Sequence, residues 1–191
     1  MIKNRKAAIG FIFITLLIDV TGLGLIIPVV PKLIEDLLHT TNISKVALFG
    51  GLLSFSYAIM QFLFAPVLGN LSDKFGRKVT MVITAILFIL NSIGTAFPTS
   101  FTMFVLFRIV GGIGVGIASM VVPMYIAEIA PPKRRGALVG NYQLAIVIGI
   151  VVVYFVNYFI ALQGDATWNL NIGWRWMFGS EIIPSLLFLI F

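Results

Sequence analysis

Cysteine is missing from all 191 residues, which excludes disulfides, thiolate metal sites and cysteine nucleophiles. Histidine occurs once, at His39, and one imidazole beside two threonines is too sparse a ligand set for a metal centre. It reads as a loop residue at a membrane edge. Charge is scarce as well: Asp, Glu, Lys and Arg together make up 10% of the chain, against roughly 25% in a soluble domain. With 60% hydrophobic residues and a mean hydropathy of +1.08, lipid must cover much of the surface. No nucleophile–base pair, phosphate loop or metal cluster stands out, so the residues point to no enzyme, no metal and no cofactor.

What is present is long apolar runs. They lie near Ala7–Pro31, Ala47–Asn70, Val79–Phe97, Phe101–Met124, Ala137–Leu162 and Trp174–Phe191. A helix needs about 20 apolar residues to cross a bilayer, and unpaired backbone amides in hydrocarbon force each run to be helical. The expected fold is therefore an all-α membrane protein with six spanning helices. The first run is too long for the apolar region of a signal peptide, and no small-residue cleavage site closes it. The last run is barely long enough to cross, and no basic residue follows it. The chain is expected to stop inside or just after its sixth span.

The net charge of +6 and the pI of 9.8 do not point to nucleic acid, because the basic residues cluster between apolar runs without exposed aromatics among them. They describe topology instead. Lys3, Arg5, Lys6, Lys74, Arg77, Lys78, Lys133, Arg134 and Arg135 fall on one side, and only Lys32, Lys45 and Arg175 on the other. The positive-inside rule puts the N-terminus in the cytoplasm. The expected location is a bacterial inner membrane, with the bilayer itself as a partner. Trp168, Trp174 and Trp176 then fall at the outer end of the sixth span, where an interfacial aromatic belt belongs.

Charges inside hydrocarbon mark function by default. Asp19 lies about 18 Å from the inner end of the first span, and Arg108 about 10 Å from the outer end of the fourth, at the helical rise of roughly 1.5 Å per residue. Those depths match, so the two are expected to pair, either as a structural brace or as a proton-coupling device. Glu181, in the last span, could serve the same network or a second proton site. Gly111, Gly112, Gly114 and Gly116 resemble a dinucleotide loop only superficially, since no strand precedes them; Gly112 and Gly116 form a small-residue face for close helix approach. At the cytoplasmic side, Asp73 is expected to cap the next span or pair with a nearby arginine, Gly69 and Gly76 to permit a tight turn, and Glu128 to pair with Arg135.

The string Gly69-Asn70-Leu71-Ser72-Asp73-Lys74-Phe75-Gly76-Arg77-Lys78 matches the signature loop of the major facilitator superfamily, and the chain resembles the N-terminal half of such a transporter. The likeness changes near residues 70–80. Residues 1–78 resemble the tetracycline-resistance drug/proton antiporters, through Thr15–Pro31. Residues from about 79 to 191 resemble the sugar porters, bacterial xylose/proton symporters above all, through Arg108–Ser119, Pro123–Glu128, Arg135-Gly136, Val156–Phe159 and Gly173–Arg175. Recombination in the shared loop, a joining by design, or a porter with a divergent first hairpin each accounts for the seam; a chimera is preferred.

The resemblance implies a bundle of two three-helix units in inverted repeat, completed by a C-terminal six-helix half that is absent from this chain, or by a second copy. It implies Asp19 and Arg108 as the proton-coupling pair, with the proton as coupling ion. Gln143 corresponds to a sugar-binding glutamine, and Tyr57, Gln61 and Asn157 join it as substrate-binding candidates. Ile150 stands where the xylose symporters carry a second glutamine. Gly69, Asp73, Gly76, Arg77, Lys78, Glu128 and Arg135 form the cytoplasmic gating motif. The implied function is proton-coupled transport of a small pentose or hexose. The alternatives are tetracycline or multidrug antiport, and a half-transporter that moves nothing.

Overall fold

The structure is a computed structural model that describes residues 30–40 and 42–190. Most of the first expected span, Asp19 included, lies outside the described residues, and so does the physical pairing of Asp19 with Arg108. Among the described residues there is no strand. Four stretches are long and apolar enough to cross a membrane: Ile43–Val67, Arg77–Ala96, Phe101–Ile129 and Pro132–Ala161. The expectation of an all-α membrane bundle holds.

Helix α1, over residues 30–38, closes at His39, whose φ of 49° is left-handed, a common way to end a helix. His39 is exposed there. Helix α2 (Ile43–Phe75) starts four residues before the apolar run because Asn42 caps it. The Asn42 Oδ1 accepts from the amides of Ser44 at 3.0 Å and Lys45 at 3.3 Å, satisfying donors that have no partner inside a helix. Helix α2 ends at Gly76, with φ 88° and ψ 146°, a conformation open to glycine and few others. This one residue is the whole connection to α3 (Arg77–Ala96). Ser100 caps α4 (Phe101–Ile129) by accepting from the Met103 amide at 3.2 Å. A 3-10 turn at Pro132–Arg134 leads into α5 (Arg135–Ala161).

Helix α4 is wedged between α2 and α3, and its glycines make this possible. A Cβ on Gly112 would come within 2.7 Å of the Tyr57 carbonyl oxygen, and one on Gly116 within 2.7 Å of the Gln61 carbonyl oxygen. Both obstacles are backbone and cannot move aside. On the α3 side, a Cβ on Gly111 would meet Asn91 Oδ1 at 2.6 Å. The small-residue face read from the sequence is thus real, and it seats α4 against α2.

The sixth expected span, Trp174–Phe191, is interrupted rather than continuous: α7 (Trp174–Ser180) and α8 (Ile182–Ile190) meet at Glu181, and a short α6 (Ala166–Trp168) and a π-helical turn (Asn169–Gly173) precede them. At the break the Glu181 amide donates to Phe178 three residues back, at 3.3 Å, a tighter turn than the α-helix makes. Trp174 corrects the expected aromatic belt. It is buried with Met177 and Phe178, one turn away on the same face, while Trp176 points outward.

Two apolar clusters fill the interior. One joins Tyr57, Met81, Phe88, Val115, Val121 and Tyr142; the other joins Leu33, Leu53, Phe104, Trp174 and Phe178. Along α2, α3 and α4 the two clusters meet at a polar layer. Asn91, Ser92, Thr95, Arg108, Glu181 and Ser185 are all buried there. The hydroxyls satisfy themselves within their own helices: Ser92 donates to the Phe88 carbonyl at 2.9 Å, Thr95 to Asn91 at 2.7 Å and Ser185 to Glu181 at 2.7 Å. Within this layer the Asn91 amide reaches the Glu181 carboxylate, and the Arg108 guanidinium is buried among aromatic rings.

Candidate functional site: a buried charged layer and a basic-end latch

Arg108 is 1% exposed. Its guanidinium carbon lies 5.1 Å from the Phe178 ring centroid, 5.7 Å from Phe104 and 5.8 Å from Tyr57. Three ring faces around one cation offset part of the cost of desolvating it. Glu181 is likewise 1% exposed, and Arg108 feels its charge. The Glu181 Oε2 accepts from the Asn91 amide at 3.4 Å. Burying ionised groups is costly unless they are paired and hydrogen-bonded, so α2, α3, α4 and α7 converge on this layer for an electrostatic reason. Glu181 sits at the break between α7 and α8.

At the end of the bundle carrying the basic loops, Arg77 gathers three partners. Its Nη2 lies 2.6 Å from Asp73 Oδ1 and 2.8 Å from Glu128 Oε1, and its Nε donates to the same Glu128 oxygen at 3.1 Å. Its Nη1 donates to the Ser72 hydroxyl, which in turn donates to the Gly69 carbonyl at 2.6 Å. Asp73 thus pairs with an arginine rather than capping α3, which has no side-chain cap. The expected Glu128–Arg135 pair is corrected. After Ile129 the chain turns through the 3-10 segment and carries Arg135 away, exposed, while α3 brings Arg77 across to Glu128. Lys78 is exposed beside it. The single arginine therefore ties α2, α3 and α4 together.

The substrate candidates are spread out. Tyr57 is buried against Arg108. Gln61, half-buried one turn along α2, lines a shallow cleft of about 480 Å³ with Ser119 of α4. Gln143 is exposed on α5, Ile150 half-buried and Asn157 buried. Their spacing of seven residues puts them on one stripe of the helix, with Gln143 and Asn157 about 21 Å apart at roughly 1.5 Å per residue. Asn91 was not among the expected site residues. A lone amide within Ile86–Gly94, otherwise almost wholly apolar, is the signal that could have found it. Among the described residues no cluster of His, Asp and Glu could hold a metal ion.

Comparison with known proteins fits this arrangement. The sugar (and other) transporter family matches residues 32–191. The D-xylose-proton symporter of Escherichia coli (strain K12) is 49% identical, over 63% of this chain and 28% of the relative. The arabinose-proton symporter of Bacillus subtilis (strain 168) is 38% identical, over 63% of this chain and 26% of the relative. The inward open structure of the xylose transporter XylE from E. coli superposes with a TM-score of 0.87 at 37% identity, covering 96% of this chain and 46% of that one. The human organic anion transporter MFSD10, at 21% identity and a TM-score of 0.65, shares the fold. The chain spans less than half the length of these relatives. On the family match and the fold together, the chain belongs to the sugar (and other) transporters of the major facilitator superfamily, of which it carries an N-terminal half.

Proposed function

We propose that this chain forms one wall of a proton-coupled sugar transporter, with its N-terminus cytoplasmic and a second six-helix half opposite. The observation that carries the reading is the buried Arg108–Glu181–Asn91 layer in a chain of the sugar transporter family. Asp19 completes that layer as the proton acceptor. When its carboxylate is ionised it holds the arginine; when protonated it releases it, and the bundle rocks. Gln143 contacts the sugar, because a primary amide both donates to and accepts from hydroxyls, and Tyr57 and Gln61 lie on the substrate side of α2. The latch at Arg77 closes the cytoplasmic end. The symporter names of the relatives and a family match that already begins at residue 32 favour sugar over drug antiport, although the first-span likeness to drug antiporters keeps a seam near residues 70–80 as part of the proposal.

The test joins this half to the C-terminal half of the E. coli D-xylose-proton symporter and measures labelled xylose in proteoliposomes. Gradient-driven accumulation is expected. Asp19→Asn should abolish accumulation while sparing exchange, because exchange moves no net proton, and Gln143→Leu should cut xylose binding at least tenfold. Intact uphill transport in Asp19→Asn would reduce the charged layer to a structural brace, and full binding in Gln143→Leu would remove that residue from the sugar site.

A further inference from the structure

At the end of the molecule remote from the basic loops, a cleft of about 490 Å³ opens between the end of α1, α5, the π-helical turn and α7. Its polar anchor is Asn157. That residue is 9% exposed, and among the described residues neither its Nδ2 nor its Oδ1 has a hydrogen-bond partner. Burying a primary amide with both ends unmet is unfavourable, so its persistence in a cleft points to something that enters and bonds it. Opposite stands Asn169, from the π-helical turn. Its Nδ2 is committed to the Ala161 and Gly164 carbonyls at 2.9 and 3.4 Å, and its buried Oδ1 has no partner among the described residues. Helical turns of this kind recur at functional sites. Tyr154, Tyr158 and Trp174 supply aromatic walls.

We infer that this cleft is a second sugar site, which holds one monosaccharide before it reaches Gln143. The inference rests on the sugar reading above. The chemistry selects the ligand class. The deep groups are neutral amides that both donate and accept, which suits paired hydroxyls and gives an anion little to bind. Among the described residues, the only cation on the lining is Lys32, which is exposed. An alkyl chain would leave the amide of Asn157 unsatisfied. Aromatic faces pack against the C–H surface of a sugar ring while its hydroxyls turn to the amides. Asn157 also lies on the same stripe of α5 as Gln143, about 21 Å away at the helical rise, so one helix carries both the staging site and the deeper site.

The test uses this chain in lipid nanodiscs, labelled with 5-fluorotryptophan so that its three tryptophans give separate fluorine resonances. D-xylose is titrated into the unsubstituted chain, Asn157→Leu and Gln143→Leu, with glycine betaine as a solute that carries no hydroxyl. The Trp174 resonance should shift saturably with xylose in the unsubstituted chain and in Gln143→Leu. Asn157→Leu should weaken that response at least tenfold without lowering the melting temperature, since leucine keeps the branched shape of asparagine beside an open cleft and leaves no amide unmet. No Trp174 response in the unsubstituted chain means the cleft holds water only and overturns the inference. An equal response in Asn157→Leu, or to glycine betaine, overturns it as well. Failure of the sugar reading shows elsewhere, as unchanged xylose binding by Gln143→Leu in the completed transporter, so the two failures are distinct.

Discussion

Two arginines organise this molecule, and they are held in opposite ways. Arg77 sits at the basic end, where its partners Asp73 and Glu128 are 55% and 52% exposed. Its grip is geometric: several short bonds, of which the two to carboxylates reach water and ions that screen them, while the one to Ser72 reaches a buried hydroxyl. Arg108 lies in the middle of the bundle at 1% exposure, enclosed by ring faces and a buried carboxylate that share its low-dielectric surroundings. The first arginine is held by groups that water can replace, so its pairs are cheap to break. The second is buried, so an unmatched charge beside it would be costly. The same residue type is held by exposed carboxylates in one place and among buried rings in the other.

The sharpest way to break this comparison is to neutralise Arg108. Arg108→Gln should cost about 3–5 kcal/mol, because it removes one charge from a buried layer that holds the Glu181 carboxylate as well. The double change Arg108→Gln with Glu181→Gln should lose less than the sum of the single changes. Thermal unfolding of the purified protein in detergent measures all three, and additive losses would show that the two groups are independent.

A second, smaller effect tests the wedge that sets Arg108 in place. Gly116→Val should cost about 1–3 kcal/mol by overpacking, since the obstructing atoms belong to the α2 backbone. Gly136→Ala, at a position open to space, should leave the same melting curve unchanged. The smallest effect belongs to the latch. Arg77→Ala should lower stability by about 1 kcal/mol or less, as exposed ion pairs do, and the difference should shrink in molar salt. Arg135→Ala should do nothing to it. A loss for Arg77→Ala as large as that for Arg108→Gln would erase the distinction.

How far these features could be read beforehand follows the range of the forces involved. The apolar runs fixed the helices, because a membrane leaves the backbone no alternative. The Gly112–Gly116 spacing marked a close approach, and the Asp73–Arg77 pair, one turn apart, is local enough to see. Glu128 was assigned the nearer arginine in sequence, whereas its true partner is 51 positions away and is delivered only by the packing of α3 on α4. The cleft around Asn169 depends on packing in the same way, whereas Asn91 is marked by its own place, an amide in the apolar run Ile86–Gly94. Trp174 departs from the expected belt because its face of α7 packs inward with Met177 and Phe178.

One consequence of Gly76 concerns how the protein is made rather than how it works. Between the apolar stretch that ends at Val67 and the one that starts at Arg77 the chain has only a helical extension of α2 and one elbow, Gly76. Its 88° φ sets the direction in which α3 leaves α2 and leaves room for α4 between them. A bulkier residue there would be felt first as a defect of insertion, in how much protein reaches the membrane.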